Sequence, residues 1–147
     1  MRKFTSVCCV VLMVLLTFGC GKVEKEITNI AVFEDCQLEL KEATTYTSDE
    51  GQNMIRVSAI YTNNSTEPLY AACCFSVRAF QNDIQLADCS NINGNEAALI
   101  QEIKDGQSLE VYYVFELPEE SEVEILIGTP TADQETIGKQ TYFSTAE

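Results

Sequence analysis

The chain has 147 residues, with 9 Lys and Arg against 23 Asp and Glu, a formal net charge of −14, and neither His nor Trp. This length fits one domain, and the absence of histidine excludes Ser-His-Asp triads, Cys-His dyads and His-ligated zinc sites. The acidic balance argues against a nucleic-acid binder, because such a surface repels phosphates rather than neutralising them.

The amino terminus has the pattern of an export signal. Arg2 and Lys3 precede an uncharged apolar run that is shorter than the roughly 20 residues a spanning helix needs. The run ends in 16–20 (Leu-Thr-Phe-Gly-Cys), which resembles a bacterial lipobox, where a small residue precedes a cysteine that becomes lipidated. We predict a lipoprotein signal peptide at residues 1–19 and lipidation of Cys20. An uncleaved single-pass anchor is the alternative, because the lipobox match is imperfect.

Either outcome predicts a domain held at the extracellular face of the cell membrane. A diacylglycerol on Cys20, with acyl chains such as palmitate, supplies the two chains that stable anchoring requires. Residues 20–29 then comprise the lipidated cysteine and a short polar tether. Residues 20–147 keep seven basic and all 23 acidic residues, a formal charge of −16. Anionic headgroups would therefore repel the domain rather than hold it flat on the membrane.

From residue 30 onward, apolar and polar residues alternate with period two, which is typical of half-buried strands. The strands predicted from this alternation cover, in chain order, 36–40, 55–61, 72–80, 84–88, 111–117, 123–127 and 137–143. The stretch 97–103 is ambiguous between a strand and one or two helical turns. The pattern predicts an all-β fold, an immunoglobulin-like antiparallel β-sandwich of about seven strands over residues 30–147. A small closed barrel is the alternative.

Three stretches carry a family resemblance: 60–65 (IYTNNS), 77–86 (VRAFQNDIQL) and 103–117 (IKDGQSLEVYYVFEL). They resemble the small Gram-positive lipoproteins whose extracellular immunoglobulin-like domain has no known function. The resemblance implies the fold and the membrane anchoring, and it supplies no catalytic residues. Asp83 stands where that family usually has Gly, and Asp adopts the left-handed conformation of a tight turn less readily than Gly does.

Four cysteines remain after the signal segment and Cys20. Cys36, Cys73, Cys74 and Cys89 make an even number, as is typical of disulfides in an exported domain. Neighbouring side chains point to opposite faces of a strand, so Cys73 would share the core with Cys36 while Cys74 faces outward. We therefore predict disulfides Cys36–Cys73 across the sheets and Cys74–Cys89 within one sheet. Free buried thiols are the alternative, and no motif supports a redox pair or a thiolate metal site.

The densest acidic cluster comprises Glu116, Glu119, Glu120, Glu122 and Glu124. Opposed carboxylates would suit a glycosidase, and several together would suit calcium. Alternation places Glu122 and Glu124 on the solvent face, and Glu119 and Glu120 fall in a turn. The pattern therefore favours a solvated surface for these carboxylates. No Asp-x-Asp-x-Asp-Gly loop is present. We predict no metal and no cofactor.

These observations predict a non-enzymatic cell-envelope lipoprotein that acts as a binding or structural module and has no catalytic residues. Its predicted partners are the membrane, through the lipid anchor, and another envelope protein or a glycan. Tyr112 and Val114 are expected on the outer face as a contact point for such a partner. The rival functions are a carboxylate-dependent envelope hydrolase and a calcium-dependent adhesion domain.

Overall fold

The computed structural model describes residues 26–91 and 95–143. The predicted signal peptide, 1–19, and the predicted lipidation site Cys20 lie outside these ranges. Within them the chain forms β1 (Ile30–Phe33), β2 (Cys36–Thr47), β3 (Asn53–Asn63), α1 (Ala71–Cys74), β4 (Ser76–Gln81), β5 (Ile84–Gln85), α2 (Glu96–Leu99), β6 (Gln107–Glu116), β7 (Val123–Gly128) and β8 (Thr136–Tyr142). None of the described helices is long and apolar enough to cross a membrane.

The strands form two antiparallel sheets of four, with the orders β1-β2-β3-β6 and β5-β4-β7-β8. The chain changes sheet after β3, after β5 and after β6. Strands β2, β3 and β6 thus correspond to A, B and E of an immunoglobulin domain, and β4, β7 and β8 to C, F and G. The predicted all-β sandwich is confirmed. The described residues form eight strands rather than about seven, since β1 precedes the first predicted strand.

The core lies between the inner faces of the two sheets. Alternation along the strands places every second apolar side chain there, as predicted for β3, β6 and β7. The apolar side chains that these strands contribute to the core are Ile55, Val57, Ala59, Tyr61, Val111, Tyr113, Phe115, Val123, Ile125 and Ile127. Leu38 and Leu40 of β2 belong to the same core. The interior between the sheets is therefore filled by side chains.

The amino-terminal segment closes one lateral edge of the sandwich. Thr28 accepts a backbone hydrogen bond from Lys139 of β8 at 2.7 Å, and Asn29 accepts one from Leu40 of β2 at 2.9 Å. Ala31 of β1 lies against Gly138 of β8, where a β-carbon would come within 3.0 Å of it. The two residues predicted as the end of the tether are thus hydrogen-bonded to both sheets.

Two predictions for the middle of the chain are corrected. The stretch 72–80 is not one strand, because residues 71–74 form the helical turn α1 and β4 begins only at Ser76. The backbone N–H of Phe75 bonds to Ala71 O at 3.0 Å and ends that turn. The stretch 97–103, which is ambiguous in the sequence, begins within the helical turn α2. The predicted strand 84–88 shortens to the two residues of β5.

The hairpin between β4 and β5 has the expected tight turn. Asn82 and Asp83 both have positive φ, 51° and 63°, as a type I′ turn requires. The turn therefore forms despite the Asp that replaces the usual Gly. Asn82 Nδ2 also donates a hydrogen bond to Glu119 Oε2 at 3.1 Å, which ties the turn to the loop between β6 and β7.

The segment after β5 covers the free edge of β6. The backbone N–H of Cys89 bonds to Val114 O at 2.7 Å, and that of Glu116 bonds to Ala87 O at 3.1 Å. Ser90 Oγ accepts the N–H of Val114 at 3.0 Å. Val114 is consequently buried, and the prediction that it would be exposed beside Tyr112 is wrong. Covering an edge strand in this way protects its unpaired backbone groups.

Candidate functional site

A surface concavity of about 280 Å³ lies beside the covered edge of β6. The described residues that line it are Ala72, Asp88, Ser90, Asn91, Glu96, Leu99 and Ile100. They come from α1, from the segment after β5, and from α2. In the two sheets, β6 and β5 occupy the edge opposite to β1 and β8, so the concavity and the amino-terminal segment lie on opposite edges of the sandwich.

Hydrogen bonds fix the wall of this concavity. Asp88 Oδ1 accepts the backbone N–H of Ser90 at 2.8 Å, which holds the segment in a tight turn. Asn95 Nδ2 donates to Ser90 O at 3.0 Å and also to Tyr112 O, so it bridges the segment to β6. Leu99, the last residue of α2, is buried, whereas Ile100, which follows it, is 54% exposed. The wall is therefore held to the sheet, with one apolar side chain left in solvent.

The chemistry of the concavity is apolar on one side and acidic on the other. Ala72, Leu99 and Ile100 supply the apolar part, and Asp88 and Glu96 supply two carboxylates. Both carboxylates are exposed to solvent, unlike the general acid of a glycosidase, which is held in an apolar environment. This arrangement suits a ligand that offers an apolar group next to a cationic or hydrogen-bond-donating one.

The acidic cluster predicted near the β6–β7 turn lies at the surface. Glu119, Glu120 and Glu122 are exposed, and Glu116 and Glu124 are half-buried. Glu124 forms an ion pair with Lys139 of the adjacent β8, in agreement with the predicted solvated face. Among the described residues, no group of three or more Asp, Glu or Cys side chains is arranged to hold a metal ion.

Three of the four cysteines meet inside the sandwich. Cys36 Sγ at the start of β2 lies 2.8 Å from Cys74 Sγ, and Cys73 Sγ lies 3.6 Å from Cys74 Sγ. Both Cys36 and Cys74 are buried, whereas Cys73 is half-buried and its thiol donates to Tyr70 O at 2.9 Å. All four described cysteines are thiols in this structure.

Tyr61 of β3 completes this thiol cluster. Its hydroxyl lies 3.4 Å from Cys36 Sγ and 3.5 Å from Cys74 Sγ. Burial raises the pKa of Tyr61 far above its usual value, and the hydrogen bond with Cys36 acts in the same direction. Burial likewise raises the pKa of the Cys74 thiol, followed by its contact with Cys36. Burial therefore favours the neutral forms of Tyr61 and Cys74.

This geometry departs from the predicted pairing. Because residues 71–74 form a helical turn, it is Cys74 rather than Cys73 that points toward Cys36. Cys89 lies apart from the cluster on the segment that covers β6, where its thiol faces Ala87 O at 3.8 Å. Burial raises the pKa of Cys89, and the nearby Glu116 carboxylate adds to that effect.

Tyr112 is the predicted contact residue that remains on the outer face. The guanidinium of Arg56 on the neighbouring strand lies 5.0 Å from the centre of its ring. A cation–π contact of this kind accounts for an aromatic side chain on a solvent-facing sheet. The predicted pair of Tyr112 and Val114 is therefore not a shared exposed surface.

Comparisons with known proteins give a family and a fold. A family model described as Domain of unknown function (DUF5067) matches residues 22–127. Among curated proteins, none matches the chain.

Several solved structures share the fold at low sequence identity. A "putative lipoprotein" from Staphylococcus aureus is 15% identical with a TM-score of 0.61, over 80% of this chain and 90% of that one. A protein from Enterococcus faecalis is 17% identical with a TM-score of 0.55, over 80% of this chain and 90% of the other. A "putative lipoprotein" from Bacillus subtilis is 16% identical with a TM-score of 0.59, over 83% of this chain but only 40% of that protein. At these identities the likeness shows the fold alone.

Proposed function

Because the chain belongs to the family Domain of unknown function (DUF5067), we propose that it is a cell-envelope lipoprotein whose β-sandwich is a non-enzymatic binding module at the extracellular face of the membrane. The lipobox-like ending at Cys20 supports the anchoring. Proteins of the same fold from two Gram-positive bacteria carry the name "putative lipoprotein", which supports it further.

The observation that carries the binding role is the position of the concavity. The amino-terminal segment leaves the domain beside β1 and β8, and the concavity lies beside β6 at the opposite edge. With strands spaced about 4.8 Å apart, the two edges of a four-stranded sheet are about 14 Å apart. An anchored domain can therefore present the concavity away from its attachment point.

The filled interior supports a role without chemistry. Apolar side chains from both sheets occupy the space between them, and the carboxylates of the β6–β7 cluster lie on outer faces and turns. The core therefore supplies no acidic side chains from this cluster for catalysis, which supports a role in binding. We propose that the ligand is an envelope protein or a glycan with an apolar and a cationic or hydrogen-bond-donating group.

The tether sets how far the domain extends from the membrane. Eight peptide units separate Cys20 from Thr28, the first of the described residues with a backbone hydrogen bond to the sheets. A fully extended chain spans about 3.5 Å per residue, so the tether reaches about 28 Å at most. The module would therefore act close to the membrane.

Anchoring is tested by substituting the proposed lipidation site. We expect Cys20→Ser, expressed in a Gram-positive host, to lose acylation by labelled palmitate and to remain in the unprocessed form. Cys8→Ser is the matched control, because it changes a cysteine inside the signal segment and should leave labelling and processing as in the native chain. Equal palmitate labelling of Cys20→Ser and the native chain would show that another residue carries the anchor.

Binding at the concavity is tested by site-directed photo-crosslinking in intact cells. We expect a photoreactive residue at Ile100, at the rim of the concavity, to capture a discrete envelope component. Ile84 on β5 is the matched control, since it is 70% exposed against 54% for Ile100 but does not line the concavity. Crosslinks of equal yield and identity from both positions would contradict a specific site.

The rival hydrolase has one observation in its favour. Asp88 and Glu96 line the same concavity, so a carboxylate pair would be available there. Release of soluble sugars or peptides from isolated envelopes, lost in both Asp88→Asn and Glu96→Gln, would favour the hydrolase over the binding module. A calcium-dependent adhesion domain would instead show a calorimetric signal on calcium addition.

A further inference from the structure

We propose that Cys36 and Cys74 are a reversible disulfide pair, and that Cys73 is the thiol through which an external disulfide oxidises them. Three sulfur atoms lie close together: Cys73 Sγ is 3.6 Å from Cys74 Sγ, and Cys74 Sγ is 2.8 Å from Cys36 Sγ. This role is independent of what the concavity binds.

The differing exposure of the three thiols sets the order in which they react with an external disulfide. Cys36 and Cys74 are 2% and 5% exposed, and Cys73 is half-buried. A bulky external disulfide therefore reaches Cys73 first, since thiol–disulfide exchange requires direct attack on a sulfur atom. The buried pair is reached only from within the cluster.

The exchange proceeds in three steps. The Cys73 thiolate attacks a disulfide R–S–S–R, forms a mixed disulfide with one R–S group and releases the other as a thiolate that takes up a proton. Cys74 then gives up its proton as its sulfur attacks Cys73 Sγ, and the displaced second R–S group takes up that proton. The disulfide so formed joins adjacent residues, whose Cα atoms are about 3.8 Å apart, so it is strained and readily exchanged. Finally Cys36 gives up its proton as its sulfur attacks Cys74 Sγ, and the displaced Cys73 takes up that proton. Two thiols of the protein lose two protons and two electrons, and the external disulfide becomes two thiols.

The positions of Cys36 and Cys74 in the fold determine how a disulfide between them affects the stability of the domain. Cys36 begins β2 in the first sheet, and Cys74 ends α1 on the crossover from β3 to the second sheet. A bond between them closes a loop over a sequence separation of 38 residues. Such a crosslink restricts the unfolded chain, so we expect oxidation to raise the Tm by roughly 10 °C.

Tyr61 keeps the reduced pair stable. Its hydroxyl lies 3.4 and 3.5 Å from the two buried sulfurs, so it can donate to one thiol and accept from the other. The two buried thiols therefore have a polar partner in the reduced state. A reversible pair requires such a partner, because a buried polar group without one destabilises the fold.

Tryptic peptide mapping tests the assignment. Reduced full-length protein in detergent micelles is incubated with oxidised glutathione, blocked with an alkylating agent and digested. Cys36 falls in peptide 26–41, both Cys73 and Cys74 fall in 57–78, and Cys89 falls in 79–104. We expect a link between the first two peptides and an alkylated Cys89. A link to the third peptide would overturn the proposal.

Variants resolve the two adjacent cysteines. In Cys73→Ser the link between 26–41 and 57–78 can form only through Cys74, and we expect it to form at least tenfold more slowly than in the native chain. In Cys74→Ser the link should be absent. Cys89→Ser is the control and should behave as the native chain. A native rate in Cys73→Ser would overturn the role of Cys73, and a persistent link in Cys74→Ser would overturn the pairing.

Discussion

Asn63→Asp is expected to lower the free energy of unfolding by about 3 kcal/mol at pH 7. Asn63 at the end of β3 is 0% exposed. Its Nδ2 donates to Glu67 O and to Ile103 O, both at 2.8 Å, and its Oδ1 accepts the N–H of Ser65 at 2.9 Å. A carboxylate of the same shape keeps only the last of these bonds and places a charge against two carbonyl oxygens.

The loss of stability should depend on pH in a defined direction. Burial and the two carbonyl oxygens raise the pKa of a carboxyl group at this position above the value of about 3.9 in the unfolded chain. Below about pH 4 the group is protonated in both states and can donate to one carbonyl, so the loss is smallest there. It grows as the pH rises toward the folded-state pKa and is constant above it.

Urea unfolding of the full chain at pH 4 and pH 7 measures this effect. Asn64→Asp is the matched control, because Asn64 is the next residue and is exposed, and it should change stability by less than about 0.5 kcal/mol. Equal losses for the two variants, or a larger loss for Asn63→Asp at pH 4 than at pH 7, would contradict the role of the Asn63 amide.

Gly138→Val is expected to cost about 2–3 kcal/mol by overfilling the seam between β1 and β8. A β-carbon at Gly138 would lie 2.9 Å from Ile127 Cδ1 and 3.0 Å from Ala31 Cβ. Valine favours strands, so the loss comes from the contact rather than from strand propensity. Either β1 or the Ile127 side chain has to move to admit the new group.

Chemical unfolding of two further variants isolates this contact. Thr141→Val introduces the same side chain on the same strand in place of one of nearly equal size, and it should stay within about 0.5 kcal/mol of the native chain. Gly138→Val should also cost less in an Ile127→Val background, because that change removes the Cδ1 atom nearest the new side chain. If the losses of stability of Gly138→Val and Ile127→Val simply add in the double variant, then β1, and not the Ile127 side chain, moves to admit the valine.

The strands could be predicted because their alternation extends over several residues. Ile55, Val57 and Tyr61 share the inner face of β3 as the period of two requires. The helical turn α1 could not be predicted in the same way, since its four residues are too few to show a helical period. That turn decides which of two adjacent cysteines faces the core, so Cys74 and not the predicted Cys73 lies beside Cys36.

The candidate sites depend on contacts between residues that are distant in the chain. Cys36, Tyr61 and Cys74 meet only after β2, β3 and α1 have packed together. Val114 alternates onto an outer face in the sequence, but the segment that contains Ser90 folds back over it. Neither the thiol cluster nor the concavity leaves a local pattern that a single sequence can reveal.

The hydrogen bonds of Thr28 and Asn29 have a mechanical consequence for a tethered domain. A pull along the tether is transmitted at Thr28 to Lys139 in one sheet and at Asn29 to Leu40 in the other. The two layers therefore share the tension, and β1 cannot be peeled from β2 before the bond to β8 has broken. A module strained between the membrane and a bound partner would carry that load through the whole sandwich rather than through its first strand.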